Sequence, residues 1–370
     1  MKSDLRKLHH DVAFGKSGGK IIWQPRISCW YTDKLFAGEN IPAPYTGMDI
    51  YDIYRRLGVS ARLYERFGSC FKMFEHQDVR RLERKLNDTD TETTIETPVG
   101  KQIAINRSTK TSSRSIRLKW EISNEEEMKV AIWRIEHTTW KWDQALYDKL
   151  VGELGDLGAP TVYLPRVNIQ DLYLNKMGIE QAVYALHDYP ATVEAYFKAL
   201  DDCHECLISI VNSSPIDIIN FGDNLHCGTL PVDLFKKYVL TSYQRRCASL
   251  HRAGKFISSH WDGDTKALLP FAKETGLDAI EAITPQPQGD VTLEEIKAAL
   301  GDVLFLLDGI PAILFNDYHS VAELESYAKR IIDLFAPKLI LGISDELSST
   351  GQIERIGVIS DLVDRYNSHY

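Results

Sequence analysis

From residue 161 onward, short apolar runs alternate with longer segments in which apolar residues recur every three to four positions. Runs of the first kind, at residues 161–166, 216–221, 255–259, 277–282, 303–307 and 338–343, predict buried strands. Residues 231–253, 266–275, 293–300, 321–335 and 352–366 carry helical periodicity, and 179–211 is helical with a break near Asp188 and Pro190. Buried strands separated by helices imply a parallel sheet, because parallel neighbours need crossover connections.

The first part of the chain is less regular. After a short amphipathic lead-in at residues 1–20, residues 21–26 (Ile-Ile-Trp-Gln-Pro-Arg) read as a first strand that delivers Arg26 to its C-terminal end. Residues 37–46, with Pro42 and Pro44, are a loop, 49–57 a helix and 69–75 a weak second strand. Polar and β-branched residues alternate over 92–105 about Thr97-Pro98-Val99-Gly100, which is a hairpin signal. The Ser/Thr/Lys/Arg cluster at 106–117 reads as a solvated loop, with a docking face for an acidic partner as the second reading. Ser123-Asn124-Glu125-Glu126 has capping-box spacing and opens a helix through Trp133. Two early strands and six later ones make about eight. The expected class is therefore α/β, a single TIM (β/α)8 barrel domain over residues 1–370, with an antiparallel hairpin insertion at about 79–120.

Charge narrows the range of partners. With 43 Lys and Arg against 52 Asp and Glu, the net charge of -9 argues against nucleic acid or an anionic membrane as a general partner. Six cysteines in 370 residues do not make a disulfide framework, and neither a secretory leader nor an apolar run of spanning length is evident. A cytoplasmic protein with reduced thiols is expected, and a homodimer is left open. Cys203 and Cys206 share a helix face with no second pair at metal-binding distance, so buried packing is expected of them.

In a barrel of this class, chemistry gathers where strands end at their C-termini. Reading those ends in order gives Arg26, Arg166 with Asn168, Asp223 with Asn224 and His226, His260 with Asp262, Glu281, Asp308, then Asp345 and Glu346. His260 and Asp262 are two residues apart at the end of an apolar run, where side chains at i and i+2 share a face. His260 with Glu281 and one of Asp262 or Asp345 meets the ligand count of a catalytic zinc, although a strand-end His serves equally to orient substrate or act as a general base. Trp30 and Trp261 are candidates for stacking on a planar substrate.

Asn220-Phe221-Gly222-Asp223-Asn224, then Leu234-Phe235 and Tyr238, then Gly254-Lys255 leading to His260, together resemble the uroporphyrinogen decarboxylase superfamily. So do Leu339-Ile340-Leu341-Gly342 and Ile353-Glu354-Arg355-Ile356 near the end and Trp23 to Arg26 near the start. The resemblance implies a TIM barrel with its site in the mouth. Among the decarboxylases of that superfamily an arginine-rich first loop grips substrate carboxylates. Arg26 matches the first arginine, and Trp30 stands near where a second is expected.

In the cobamide-dependent methyltransferase branch, a His-x-Cys pair and a later Cys bind zinc. His260 matches the histidine, Asp262 replaces the first cysteine, and Asp345 falls near the second. Carboxylates in place of thiolates make a bound zinc more electrophilic and suited to an oxygen substrate. The resemblance thus implies transfer of a methyl group from a small methoxylated, aromatic-type compound to a corrinoid carried by a partner protein. In that reading Asp223, His260 and Glu281 are catalytic. Arg26, Trp30, Arg166, Asn168, Asn224 and Trp261 bind substrate, and zinc sits on His260, Asp262, Glu281 and Asp345. The alternative is a cofactor-free decarboxylase in which Arg26 and Arg166 hold carboxylates and His260 or Asp223 handles the proton; a catalytically silent ligand-binding barrel is a third reading.

Overall fold

A computed structural model of the chain describes residues 4–110 and 114–370. The chain divides into two compact units, one formed by Met1–Cys70, Gln144–Leu164 and Pro215–Tyr370, the other by Phe71–Asp143 and Pro165–Ser214. Among the described residues no helix is long and apolar enough to cross a membrane.

The first unit is built on a parallel sheet. Its strands are β1 (Ile22–Trp23), β2 (Thr161–Leu164), β3 (Ile218–Phe221), β4 (Phe256–His260), β5 (Ala279–Glu281), β6 (Phe305–Pro311) and β7 (Leu339–Ser344). They lie in the order β1-β7-β6-β5-β4-β3-β2. The sheet curls enough that groups near its two edges meet. Arg26, just past β1, lies 5.9 Å from the ring centre of Tyr163 on β2.

Residues 59–63 run beside β1, where the Ser60 amide donates to the Trp23 carbonyl at 3.1 Å, but they form no strand. Among the described residues the curled parallel sheet has seven strands, and a full eight-stranded barrel is not shown. The weak second strand of the sequence reading, Phe71–Phe74, belongs to the other unit and pairs antiparallel with Thr139–Trp142. Its apolar and polar residues suited a strand, but the pattern carries no information on the partner.

Alternation along each parallel strand decides what faces the sheet interior. The interior rows begin apolar: Ile22, Ile218, Phe256, Ala279, Phe305 and Ile340 pack with Val12 and Ala13 of the helix Leu5–Ala13, which covers this end. Two residues further on, the rows turn polar, at Gln24, Tyr163, Asn220, Ser258 and Glu281, and His260 follows Ser258. Asp308 departs from the alternation. Its φ of 84° turns the carboxylate over Gly342, where an added Cβ would lie 2.0 Å from Asp308 Oδ1, so only glycine fits.

Helix ends follow local chemistry. Val321–Phe335 matches the expected span, with the Ser320 hydroxyl accepting from the Glu323 amide. Leu293–Leu300 opens with a full capping box between Thr292 and Glu295. Residues 266–275, expected as an α-helix, instead contain a short 3-10 turn at Leu269–Glu274, where Pro270 sits near its start.

In the second unit, four antiparallel strands (Arg80–Lys85, Asp90–Thr97, Gly100–Arg107 and Ile116–Lys119) form a sheet in chain order. The hairpin turn falls at Thr97–Gly100 as its sequence indicates. The loop expected at 106–117 is shortened at both ends by strand residues, and its residues 111–113 lie outside the described residues. The helix Glu125–Glu136 is capped by Asn124, which accepts from the Glu127 amide, rather than by Ser123. Ile179–Asp188 and Pro190–Ser213 are separate helices, divided at the expected break.

Candidate active site

Register brings the central pair together. His260 on β4 and Glu281 on β5 are direct neighbours in the parallel ladder, so their side chains share a face. His260 Nδ1 lies 3.0 Å from Glu281 Oε2. Glu281 is fully withdrawn from water and is ringed by donors. The Tyr64 hydroxyl reaches Oε1 at 2.8 Å, Asn220 Nδ2 reaches Oε2 at 2.8 Å, and the Tyr163 hydroxyl lies at 3.5 Å. Arg62, also buried, places Nη1 3.5 Å from Glu281 and hydrogen-bonds Asp308 through Nη2.

Electrostatics follow from this packing. Burial alone would raise the Glu281 carboxyl, but the charge of Arg62, the bond and charge of His260, and Arg26 hold it well below the usual carboxylate range. Burial alone would lower His260, yet the hydrogen bond and charge of Glu281, aided by Asp345, push the imidazole up to about 9. It is therefore an imidazolium at neutral pH. Burial raises Asp308, Arg62 opposes that rise, and Glu281 adds to it.

The other face of the imidazole looks toward two carboxylates. Nε2 lies 3.6 Å from Asp345 Oδ1 and 4.0 Å from Asp262 Oδ2. Asp345 is 41% exposed in its side chain and Asp262 30%, so this face meets the solvent-accessible end of the sheet. Arg26 holds Asp345 at 2.8 Å and Glu346 at 3.1 Å, and Glu346 also accepts from the Cys29 amide.

These groups do not assemble into the expected zinc site. Glu281 serves Nδ1 and four other donors, Asp345 is taken by Arg26, and the two aspartates stand apart from Nε2. Among the described residues no three His, Cys, Asp or Glu side chains are disposed to hold a metal ion. Glu281 and Asp345 pair with His260, Arg62 and Arg26, while Asp262 stands 4.0 Å from Nε2.

Other expected site residues fall elsewhere. Asp223 accepts from the Tyr243 hydroxyl, which also meets Ser259 Oγ at 2.6 Å; Ser259 alternates with Ser258 and His260 and so faces the helices. Asn224 has a left-handed backbone (φ 53°), and the next amide, of Leu225, donates to the His260 carbonyl at 3.2 Å. Trp261 is not a stacking surface: it is fully buried and packs edge-on against Phe235 at 5.7 Å. Trp30, 1% exposed, lies in the helix Ser28–Phe36 with Lys34 over its ring. Arg166 and Asn168 belong to the second unit, where they bond Asn175 and Asp201, each at 3.3 Å. Cys206 is exposed and Cys203 half-buried, so the pair is not the buried packing expected of it.

Sequence comparison gives no relative: no family model matches the chain, and neither does any curated protein. Structural comparison does find a likeness. A methyltransferase from Methanosarcina mazei superposes with a TM-score of 0.58 over 96% of this chain and 97% of that one, at 9% identity. At that identity the likeness concerns the fold. A B12-independent methionine synthase from Shewanella sp. W3-18-1 (TM-score 0.36, 12% identity, 92% and 86% covered) and a GH18 chitinase from Pseudoalteromonas aurantia (0.33, 12%, 60% and 82%) are too distant to bear on it.

The sequence reading missed Arg62 and Tyr64 altogether and left Tyr163, Asn220 and Asp308 without roles. The available signal was a lone Arg inside Ser60-Ala61-Arg62-Leu63-Tyr64, a segment otherwise small or apolar. An arginine there is either exposed or bound to a buried carboxylate.

Proposed function

We propose that the chain is a methyltransferase that removes a methyl group from a methoxylated compound, with His260 as the acid that protonates the departing oxygen. The observation that carries this reading is the His260–Glu281 pair, bonded at 3.0 Å, with Nε2 turned toward the accessible Asp345 and Asp262. An ether oxygen is a poor leaving group unless charge developing on it is neutralised, and a positioned imidazolium supplies the proton. Glu281 fixes the ring and favours its charged form. Asp262 and Asp345 orient a donor group of the substrate, and Arg26 holds Asp345 in place.

A reduced corrinoid on a partner protein would supply the nucleophile that accepts the methyl group. The fold shared with a methyltransferase is in keeping with this chemistry. The decarboxylase reading is weaker, because the guanidinium groups it needs for substrate carboxylates are already paired. Arg26 is held by Asp345 and Glu346, and Arg166 belongs to the second unit, where it donates to Asn175.

The test is incubation of the purified chain with a panel of methoxylated phenols and a reduced corrinoid protein, with product analysis. Demethylated phenol that forms only with the corrinoid protein, and falls away in His260→Gln, supports the proposal. Release of carbon dioxide from carboxylated substrates without corrinoid would replace it.

A further inference from the structure

The second unit contains a cavity of about 170 Å³ lined from the helices Glu125–Glu136 and Pro190–Ser213 and the strands Phe71–Phe74 and Thr139–Trp142. Its volume is close to that of an apolar cavity able to take up benzene, roughly 150 Å³. Ala131, Ile135, Leu200 and Trp140 give it an apolar wall. Met73, 53% exposed, also lines it.

The polar wall is unevenly satisfied. Arg134 donates to Glu75 at 2.6 and 3.0 Å and lies 3.4 Å from Glu121, while Lys176 pairs with Glu121 at 3.2 Å. Both cations are therefore already matched within the unit, and an anionic ligand would have to break those pairs. Asp171 differs. It is 7% exposed, yet its carboxylate receives only neutral donors, the Tyr196 hydroxyl at 2.9 Å and the Asn175 amide at 2.7 Å. Among the described residues no Lys, Arg or His forms an ion pair with it. His204 and the Cys203 thiol, which accepts from Trp140 Nε1 at 3.4 Å, also line the cavity.

A carboxylate withdrawn from water without a counter-charge is costly, and a cation brought to it is correspondingly stabilised. Ring faces beside the same space add to that preference. We propose that this cavity binds a small organic ammonium ion, with its charge on Asp171 and its apolar body against Trp140 and Leu200. Asp171 supplies selectivity through charge, and the cavity volume limits the ligand to about a benzene-sized body.

The test is calorimetric titration of the full chain with three isosteric probes, benzylammonium, benzyl alcohol and benzoate, with Trp fluorescence as a second readout. Benzylammonium is expected to bind at least about tenfold more tightly than either other probe, the scale of a charged hydrogen bond. Asp171→Asn should remove that preference, and Leu200→Trp, which fills the cavity without touching charge, should remove binding itself. Equal binding of the three probes, no benzylammonium binding at millimolar concentration, or selective binding that survives both variants would overturn the proposal. If Asp171→Asn fails to fold, the wild-type probe series and Leu200→Trp decide it.

Discussion

Glu281 of the sheet-based unit and Asp171 of the second unit are both carboxylates withdrawn from water, and their surroundings solve the same problem differently. Glu281 has charge at hand: Arg62 at 3.5 Å and the His260 imidazolium at 3.0 Å, with Tyr64 and Asn220 filling its remaining lone pairs. Asp171 has two neutral donors and an open cavity beside it. A caged carboxylate is part of the fold, and removing it strands its cations. A carboxylate left short of charge keeps an unspent preference for a cation. The comparison thus separates electrostatics that hold a protein together from electrostatics available to a ligand.

The largest expected effect is that of Glu281→Ala. It leaves Arg62 and His260 buried without their counter-ion and should cost about 3–5 kcal/mol in urea unfolding. A loss below about 1 kcal/mol would mean that the cage contributes little to stability.

His260→Gln removes the proton but only one of several donors to Glu281. Turnover in the methoxyphenol assay should fall by about 10²–10⁴, and stability at neutral pH should fall by up to about 3 kcal/mol because the charge paired with Glu281 is lost. The pH dependence has a definite sign. His260 is raised in the folded state to about 9 from its ordinary value near 6.5, so its stabilisation is complete below about pH 6.5 and lost as pH rises through about 9. The full span is about 3 kcal/mol. Wild-type turnover should decline over the same upper range, and Glu281→Gln should move that decline to lower pH. An alkaline limb that stays in place in Glu281→Gln would remove Glu281 from this role.

Gly342→Ala tests the cage from outside. The new methyl would meet Asp308 Oδ1 at 2.0 Å and push the carboxylate from Arg62, at an expected cost of about 1–3 kcal/mol by thermal unfolding. The smallest effect belongs to Asp171→Asn. The amide can keep the Tyr196 bond while shedding an uncompensated charge, so stability should change by less than about 1 kcal/mol. If it costs as much as Glu281→Ala, the two carboxylates are not different in kind.

The legibility of these features in the sequence varied with their range. Val321–Phe335 was readable to the residue because its periodicity and Ser320 cap are local. β7 was readable because Leu339–Ile343 is apolar on both faces, as a strand covered on both sides must be. The turn at Thr97–Gly100 carried its own proline and glycine. Phe71–Phe74 was recognisable as a strand but not as an antiparallel partner of Thr139–Trp142, since pairing across that separation leaves no local mark. The candidate site divided in the same way. His260 and Glu281 stood out as polar residues ending apolar runs, whereas Arg62 reaches Asp308 across 246 positions and Tyr64 reaches Glu281 across 217.

By itself, then, the sequence determined most of the strands and helices after residue 160, that these strands run parallel, and that polar groups collect at their C-terminal ends. Those properties depend on alternation and on neighbours a few residues away. Only the tertiary structure decided that Phe71–Phe74 pairs outside the parallel sheet, that Asp345 is held by Arg26 and Glu281 by Arg62 and His260, and that Asp171 borders a cavity with no ion-pair partner among the described residues. Each depends on which distant side chains share a volume of a few ångströms, and the free energy of a buried charge is set by that company rather than by the residue's own type.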